Sequence, residues 1–352
     1  MSKKEHEEEL NEAKREKKKD RESEGGKKKS KWKIYLLRSG LPLEYESANL
    51  LVSNHYVVSA DYKYMRKGVV KSVDLRAIIP LPYDVHQQDE IGKVNMLVEC
   101  KYRHPNTKWL FFRDPNRPSA SEMLIGYTIR VIDEFSPYRV SREEINFFDS
   151  NIDRCYKGTE IKYNGQVDDS ELKDGIDQIQ YGLPNLCRQT IIPFVEVNGY
   201  TPIILICPIL LTTADLFIAK QGLTMDHLRD AKEIGDISVK VPYFMYFSDY
   251  GADFEQYCSD LFRISSKQYA SQIKIIKRKR QKLIDSGHSL DPVNIAKGLF
   301  QANWIYLRRY FVKFIVCNFF EFQNLLTKFK EIFSKTIKSS KKVFEPDRES
   351  LS

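Results

Sequence analysis

The stretch Ser72-Val73-Asp74-Leu75-Arg76-Ala77, followed 25 positions after its aspartate by Met96-Leu97-Val98-Glu99-Cys100-Lys101, decides how this chain is read. Residues 69–79 and 94–102 are apolar runs that read as strands, with Pro80, Pro82 and the polar residues 84–93 as the turn between them. Side chains alternate along a strand, so Glu99 and Lys101 project to one face and Cys100 to the other. By itself the Glu-x-Lys triplet also reads as a same-face ion pair on an edge strand. The apolar neighbours shift that balance: Met96, Leu97 and Val98 precede Glu99, and Val73 and Leu75 bracket Asp74. Charges buried there are costly unless they pair or hold a metal. If the two strands pair, Asp74 and Glu99 converge, and two convergent carboxylates suit Mg²⁺, which takes oxygen ligands and keeps several waters. A metal so held activates water and polarises a phosphoryl oxygen. A nearby lysine positions or helps deprotonate that water, or stabilises developing negative charge.

Upstream, residues 43–52 carry apolar side chains at helical spacing just after Pro42, and residues 55–60 read as a strand. The order is therefore a helix and then three closely connected strands, which predicts antiparallel pairing. Downstream, residues 109–112 extend the sheet, and residues 119–135 and 141–148 read as short helices within an insertion covering about 114–170. Residues 174–188 form an amphipathic helix, with Gly182 and Pro184 expected to kink or end it. Residues 202–211 read as a buried sheet-centre strand, and 239–246 as one more. Residues 253–284 and 292–333 are helical in character. The aromatic stretch 304–322 reads as helical core, with a base-stacking platform or a dimer surface as its other readings.

The chain has 352 residues, 42% hydrophobic and 30% charged, and a net charge of +8, enough for a real core and a bias toward acidic partners. Nucleic acid and a membrane surface both fit that bias. The apolar runs 201–219 and 304–320 are interrupted by Pro202, Pro208 and Asp215 and by Arg308, Arg309 and Lys313, so they read as buried core and no membrane span is expected. The six cysteines form no CxxC pair and read as reduced core residues of a cytoplasmic protein. With no HExxH and no His/Cys ligand cluster a structural zinc site is not expected, and the absence of GxxxxGK[ST] and GxGxxG patterns leaves no sequence warrant for nucleotide hydrolysis or a dinucleotide cofactor. Residues 1–31 mix both charge signs without an apolar stripe and read as a disordered tail, and residues 336–352 as a second tail.

The region from Leu43 to Tyr102 resembles the PD-(D/E)XK nuclease superfamily, in its branch close to archaeal Holliday-junction resolvases and Mrr-like restriction endonucleases, with a weaker continuation to about Lys220. That resemblance implies an α/β, restriction-endonuclease-like core over residues 36–220 with a central mixed β-sheet flanked by helices; the residues beyond it read as a mostly helical C-terminal region over 221–335. The resemblance implies Glu44 (with Glu46 as fallback), Asp74 and Glu99 as metal ligands, and Asp74, Glu99 and Lys101 as the catalytic set. The cofactor implied is Mg²⁺ or Mn²⁺, and the activity is endonucleolytic hydrolysis of DNA phosphodiester bonds, in restriction, defence or repair. A homodimer would suit two-fold symmetric substrates. The chain departs from the pattern in placing Val73, not proline, before the aspartate, and Gln178, Gln180 and Tyr181 miss the Gln-xxx-Tyr spacing of some relatives. Candidate phosphate contacts are Arg103 and the run Lys277-Arg278-Lys279-Arg280, each of which also reads as a solvated charge face. Lys63, Arg66, Lys67 and Lys71 form a basic hairpin that is equally a solvated turn. The competing functions are a catalytically silent nucleic-acid-binding module on the same fold, and a scaffold using its basic tails.

Overall fold

The computed structural model describes residues 31–83, 91–115, 128–198, 201–248, 251–268 and 310–342, together with residues 270, 274 and 278. Two helices, α1 (Lys31–Arg38) and α2 (Leu41–Ser53), lead into β1 (Val57–Arg66), β2 (Val69–Leu81) and β3 (Gly92–Lys101). Pro42 stands in the first turn of α2, where its missing N–H would have had no helical partner. Leu43, Ser47 and Leu51 repeat at helical spacing and form the buried stripe of α2. The three strands pair antiparallel, with Ala60 opposite Leu75 and Leu75 opposite Val98.

The chain continues through β4 (Lys108–Arg113), β5 (Arg130–Ile132), β6 (Tyr138–Arg139), α3 (Glu143–Ser150), β7 (Arg154–Ile161), β8 (Val167–Asp168) and α4 (Ser170–Asn198). After it come β9 (Ile203–Thr212), β10 (Asp215–Ala219), α5 (Met225–Asp230), α6 (Ile234–Ile237), β11 (Ser238–Lys240), β12 (Tyr243–Phe247), α7 (Ala252–Gln268), β13 (Lys313–Asn318), α8 (Phe322–Lys338) and β14 (Lys341–Lys342). The fold is α/β, with one large mixed sheet in the order β1-β2-β3-β9-β13-β12-β7-β4-β10-β11, β5 adding to β9 and β8 to β7. All ten residues of β9 are buried, and it runs parallel to β3 on one side and to β13 on the other. A strand covered on both faces reads as a continuous apolar run, which is how Ile203–Thr212 could be found in the sequence. Alternate residues of β3 serve two cores: Val98 packs with α2 and α8, while Leu97 packs with α4 and α7. Among the described residues no helix is long and apolar enough to cross a membrane, and all six cysteines are buried and unpaired.

Several elements differ from their sequence reading. The stretch 114–170, read as an insertion, contributes β5 and β7 to the main sheet. Residues 130–132, expected in a helix, form a strand on β9, and the expected helical residues 119–127 lie outside the described residues. The long helix does not end near Gly182: α4 spans 29 residues and passes through Pro184 and Pro193. Its buried Leu183, Leu186, Cys187 and Ile191 fix it to the sheet on both sides of Pro184, so packing outweighs the lost hydrogen bond. In the segment 221–335, β11 and β12 fall where a strand was expected over 239–246, while β13 adds an unexpected strand to the same sheet. Within the aromatic stretch, Lys313–Asn318 is a fully buried strand rather than helix, while residues 292–309 lie outside the described residues. The expected C-terminal tail begins late, since α8 runs to Lys338 and β14 pairs with β6. Residues 1–30 and 343–352 lie outside the described residues.

Candidate active site

Strand β2 turns over at Asp74. On a regular strand, residues two apart share a face, yet Val73 packs with Tyr62, Tyr64 and Leu97 beneath α4, and Leu75 packs in the opposite core with α2. The β1 partner at this point, Asp61, adopts φ +52°, a left-handed value that interrupts the ladder between Ala60 and Tyr62. The β2–β3 ladder ends at Leu75 opposite Val98, so Glu99, Cys100 and Lys101 pair only with β9. Side chains take over the hydrogen bonding where the ladder stops. The backbone N–H of Cys100 donates to Asp74 Oδ2 at 2.7 Å, and the backbone N–H of Asp74 donates to Glu99 Oε2 at 3.3 Å. The two carboxylates therefore meet in the cleft between the parting strands.

Lys101 completes this arrangement. Its Nζ lies 2.9 Å from Glu99 Oε1 and 2.9 Å from Asp174 Oδ2, and donates to Gln178 Oε1 at 2.8 Å. Gln178 Nε2 also donates to the Ser72 carbonyl at 3.2 Å, so α4 grips both the lysine and the turning point of β2. Close approach of α4 depends on two glycines. A Cβ on Gly175 would stand 2.8 Å from Leu210 Cδ1 and 3.0 Å from Lys101 Cε, and one on Gly182 would stand 2.9 Å from Val73 Cγ2. Glu44 comes from the first turn of α2 and feels the charges of both Asp74 and Lys101.

All three acids are held less acidic than usual. Burial raises Glu44, and the charges of Asp74 and Asp61 add to it. Burial raises Asp74 against the opposing pull of the Cys100 N–H and the Lys101 charge. Glu99, 1% exposed, is pushed up to about 8 by burial and then by the charge of Asp74, with Lys101 only partly offsetting both. Burial lowers Lys101, but the charge of Glu99 and the hydrogen bonds to Asp174 and Glu99 outweigh it, so the amine stays a cation. The cleft thus gathers three carboxyl groups whose ionised forms burial disfavours beside one ammonium.

The chemistry of the donor set is the test of whether a metal fits. Among the described residues, no group of three or more His, Cys, Asp or Glu side chains is gathered closely enough to hold a metal ion. Mg²⁺ does not need such a group, since one or two carboxylates with waters and a substrate phosphate usually hold it. Asp74 and Glu99 offer hard oxygen donors, and the second Asp74 oxygen has no protein hydrogen-bond donor among the described residues. The donor set fits Mg²⁺ or Mn²⁺ as a two-carboxylate site, with Glu44 within electrostatic reach.

The remaining candidates scatter. Arg103 is committed to protein partners: it lies 2.5 Å from Glu160 and 3.5 Å from Glu171, while Trp109 Nε1 donates to the other Glu160 oxygen at 2.9 Å. That pairing makes it an anchor of β3 to β7 rather than a free phosphate contact. Arg66 pairs with Asp177 and lies over the Tyr181 ring at 3.5 Å, and Lys67 pairs with Asp253, so the hairpin docks on α4 and α7. Arg278 is helical and exposed, whereas Lys277, Lys279 and Arg280 lie outside the described residues. Sequence reasoning passed over Asp174 as a site residue and set Gln178 aside on motif spacing. Their signal is a separation of four on an amphipathic helix, which puts both on one face. No protein-family model matches the chain, and no curated protein or solved structure matches it.

Proposed function

We infer that the chain is a metal-dependent endonuclease hydrolysing DNA phosphodiester bonds, built on a restriction-endonuclease-like core of the PD-(D/E)XK type. One observation carries the reading: Asp74, Glu99 and Lys101 meet at the point where β2 leaves β3, the two carboxylates linked through the Asp74 N–H and the lysine 2.9 Å from Glu99. An edge-strand surface pair does not account for this, because Glu99 is 1% exposed. Buried charges without a functional partner are destabilising, and sites of strongly shifted acidity mark functional clefts.

Asp74 and Glu99 would hold Mg²⁺ or Mn²⁺, with Glu44 contributing to the negative field. The metal, when bound, would polarise the phosphoryl group and supply an activated water. Lys101 keeps its proton, so it serves as a hydrogen-bond donor to the phosphoryl oxygens and not as a general base. Asp174 and Gln178 fix its amine in place. Water attack forms one P–O bond and breaks the ester P–O bond on the opposite side, and the departing oxygen takes up a proton. The excess of basic residues over the whole chain favours a polyanionic substrate.

The test is incubation with plasmid, linear and branched DNA in Mg²⁺, Mn²⁺ or EDTA, beside Asp74→Ala and Lys101→Ala. Metal-dependent cleavage by wild type and its loss in both variants is expected. Intact substrates throughout would overturn the enzyme reading, and salt-sensitive binding without cleavage would identify a silent binding module.

A further inference from the structure

Directly beyond Lys101 the chain builds a second feature that hydrolysis does not use. Tyr102, Arg103 and His104, with Leu37 and Arg38 from the end of α1 and Tyr163 from the loop after β7, line a cavity of about 550 Å³. That volume lies within the range of small-ligand sites. The His104 and Tyr163 rings stand 4.1 Å apart at 33°, and Tyr163 is 58% exposed, so a ring surface faces outward. Arg103 is a fixed wall, held by Glu160 and Glu171. Arg38 is exposed and has no ion-pair partner among the described residues.

We propose that this cavity receives an unpaired nucleobase of the DNA strand, next to the phosphate being cut, with the base stacked on Tyr163 and its own phosphate paired with Arg38. The assignment rests on the nuclease reading of the Asp74–Glu99 cleft. Aromatic surface beside a free cation is the chemistry that holds single strands, because every base offers a π-face and every nucleotide a negative charge. Tyr102 alone separates Lys101 from Arg103, so their Cα atoms stand at most about 7 Å apart, and one DNA strand can serve both features. A base paired within duplex DNA must leave its stack to enter such a cavity. The site therefore favours single-stranded, frayed or branched substrate.

The test uses the full chain in EDTA, which prevents cleavage, and DNA carrying 2-aminopurine, either single-stranded or in a blunt duplex. Wild type is expected to bind the single strand about tenfold more tightly than duplex and to quench 2-aminopurine at one position. Tyr163→Leu removes the quench and weakens single-strand binding about tenfold, Tyr163→Phe restores both, and Arg38→Ala weakens binding about fivefold while keeping the quench. The high exposure of Tyr163 makes these variants safe for folding. Unchanged quench and affinity in Tyr163→Leu overturns the pocket even where Mg²⁺-dependent cleavage by wild type is intact. A Tyr163-dependent quench in a protein that cuts nothing supports the base pocket and removes the nuclease reading alone.

Discussion

Replacing Glu99 with glutamine should stabilise the metal-free protein at pH 8 while removing its activity. Burial and the charge of Asp74 raise the Glu99 carboxyl from its usual 4.5 to about 8. The folded state therefore keeps a proton that the unfolded chain loses near its ordinary value. The contribution of Glu99 to stability is full below about pH 4.5 and declines as pH rises through 8. A gap of about 3.5 units at ~1.36 kcal/mol each sets a ceiling of about 5 kcal/mol. Relaxation and water entry around a buried charge reduce such ceilings, so roughly 2–3 kcal/mol is expected between pH 5 and pH 8. Glutamine keeps the shape and does not ionise, so the variant escapes this loss. Thermal unfolding of both proteins in EDTA at pH 5, 6, 7 and 8 reads it directly. The melting temperature of Glu99→Gln should move from near equality with wild type at pH 5 to about 5 °C above it at pH 8. A difference that stays constant with pH, or that turns against the variant as pH rises, would refute the reasoning.

Asp74→Ala and Lys101→Ala should each lower kcat by about 10²–10³ in single-turnover cleavage, with DNA affinity in EDTA changed by less than a few fold. Gly175→Ala places a Cβ against Leu210 and Lys101; chemical denaturation should show a loss of about 1–3 kcal/mol, with cleavage falling as the lysine shifts. Gln178→Ala removes the link from Lys101 to the Ser72 carbonyl and should cost about 1 kcal/mol in the same assay. Mg²⁺ at about 100 times its dissociation constant should raise wild-type stability by about 2.7 kcal/mol, and Asp74→Ala should show no such rise.

What the sequence exposed and what it concealed follow from how far each signal reaches. The helix after Pro42, the β1–β2–β3 meander and the placement of Asp74, Glu99 and Lys101 rest on neighbours close in the chain, and all were legible. The turnover of β2 was not: nothing in Val73-Asp74-Leu75 shows that its apolar residues divide between two cores, because that depends on the backbone of Asp61. Gln178 was set aside on motif spacing, yet it reaches Lys101 from 77 residues away, and only the folded helix decides which of its side chains face the cleft. Pro184 does not end α4, because helix propensity is local, whereas the packing that holds α4 is tertiary. Lys313–Asn318 misled for a related reason, since a short apolar run buried on both faces has no periodicity that separates strand from helix.

The central claim is that the cleft between the parting strands binds a divalent cation, and anomalous diffraction from crystals soaked in Mn²⁺ tests it most directly. A peak touching carboxylate oxygens of Asp74 and Glu99 at about 2.1–2.3 Å, present in wild type and missing in Asp74→Ala, is the predicted result. Crystals in which Mn²⁺ never enters the cleft, and Lys101 alone neutralises Glu99, would contradict it.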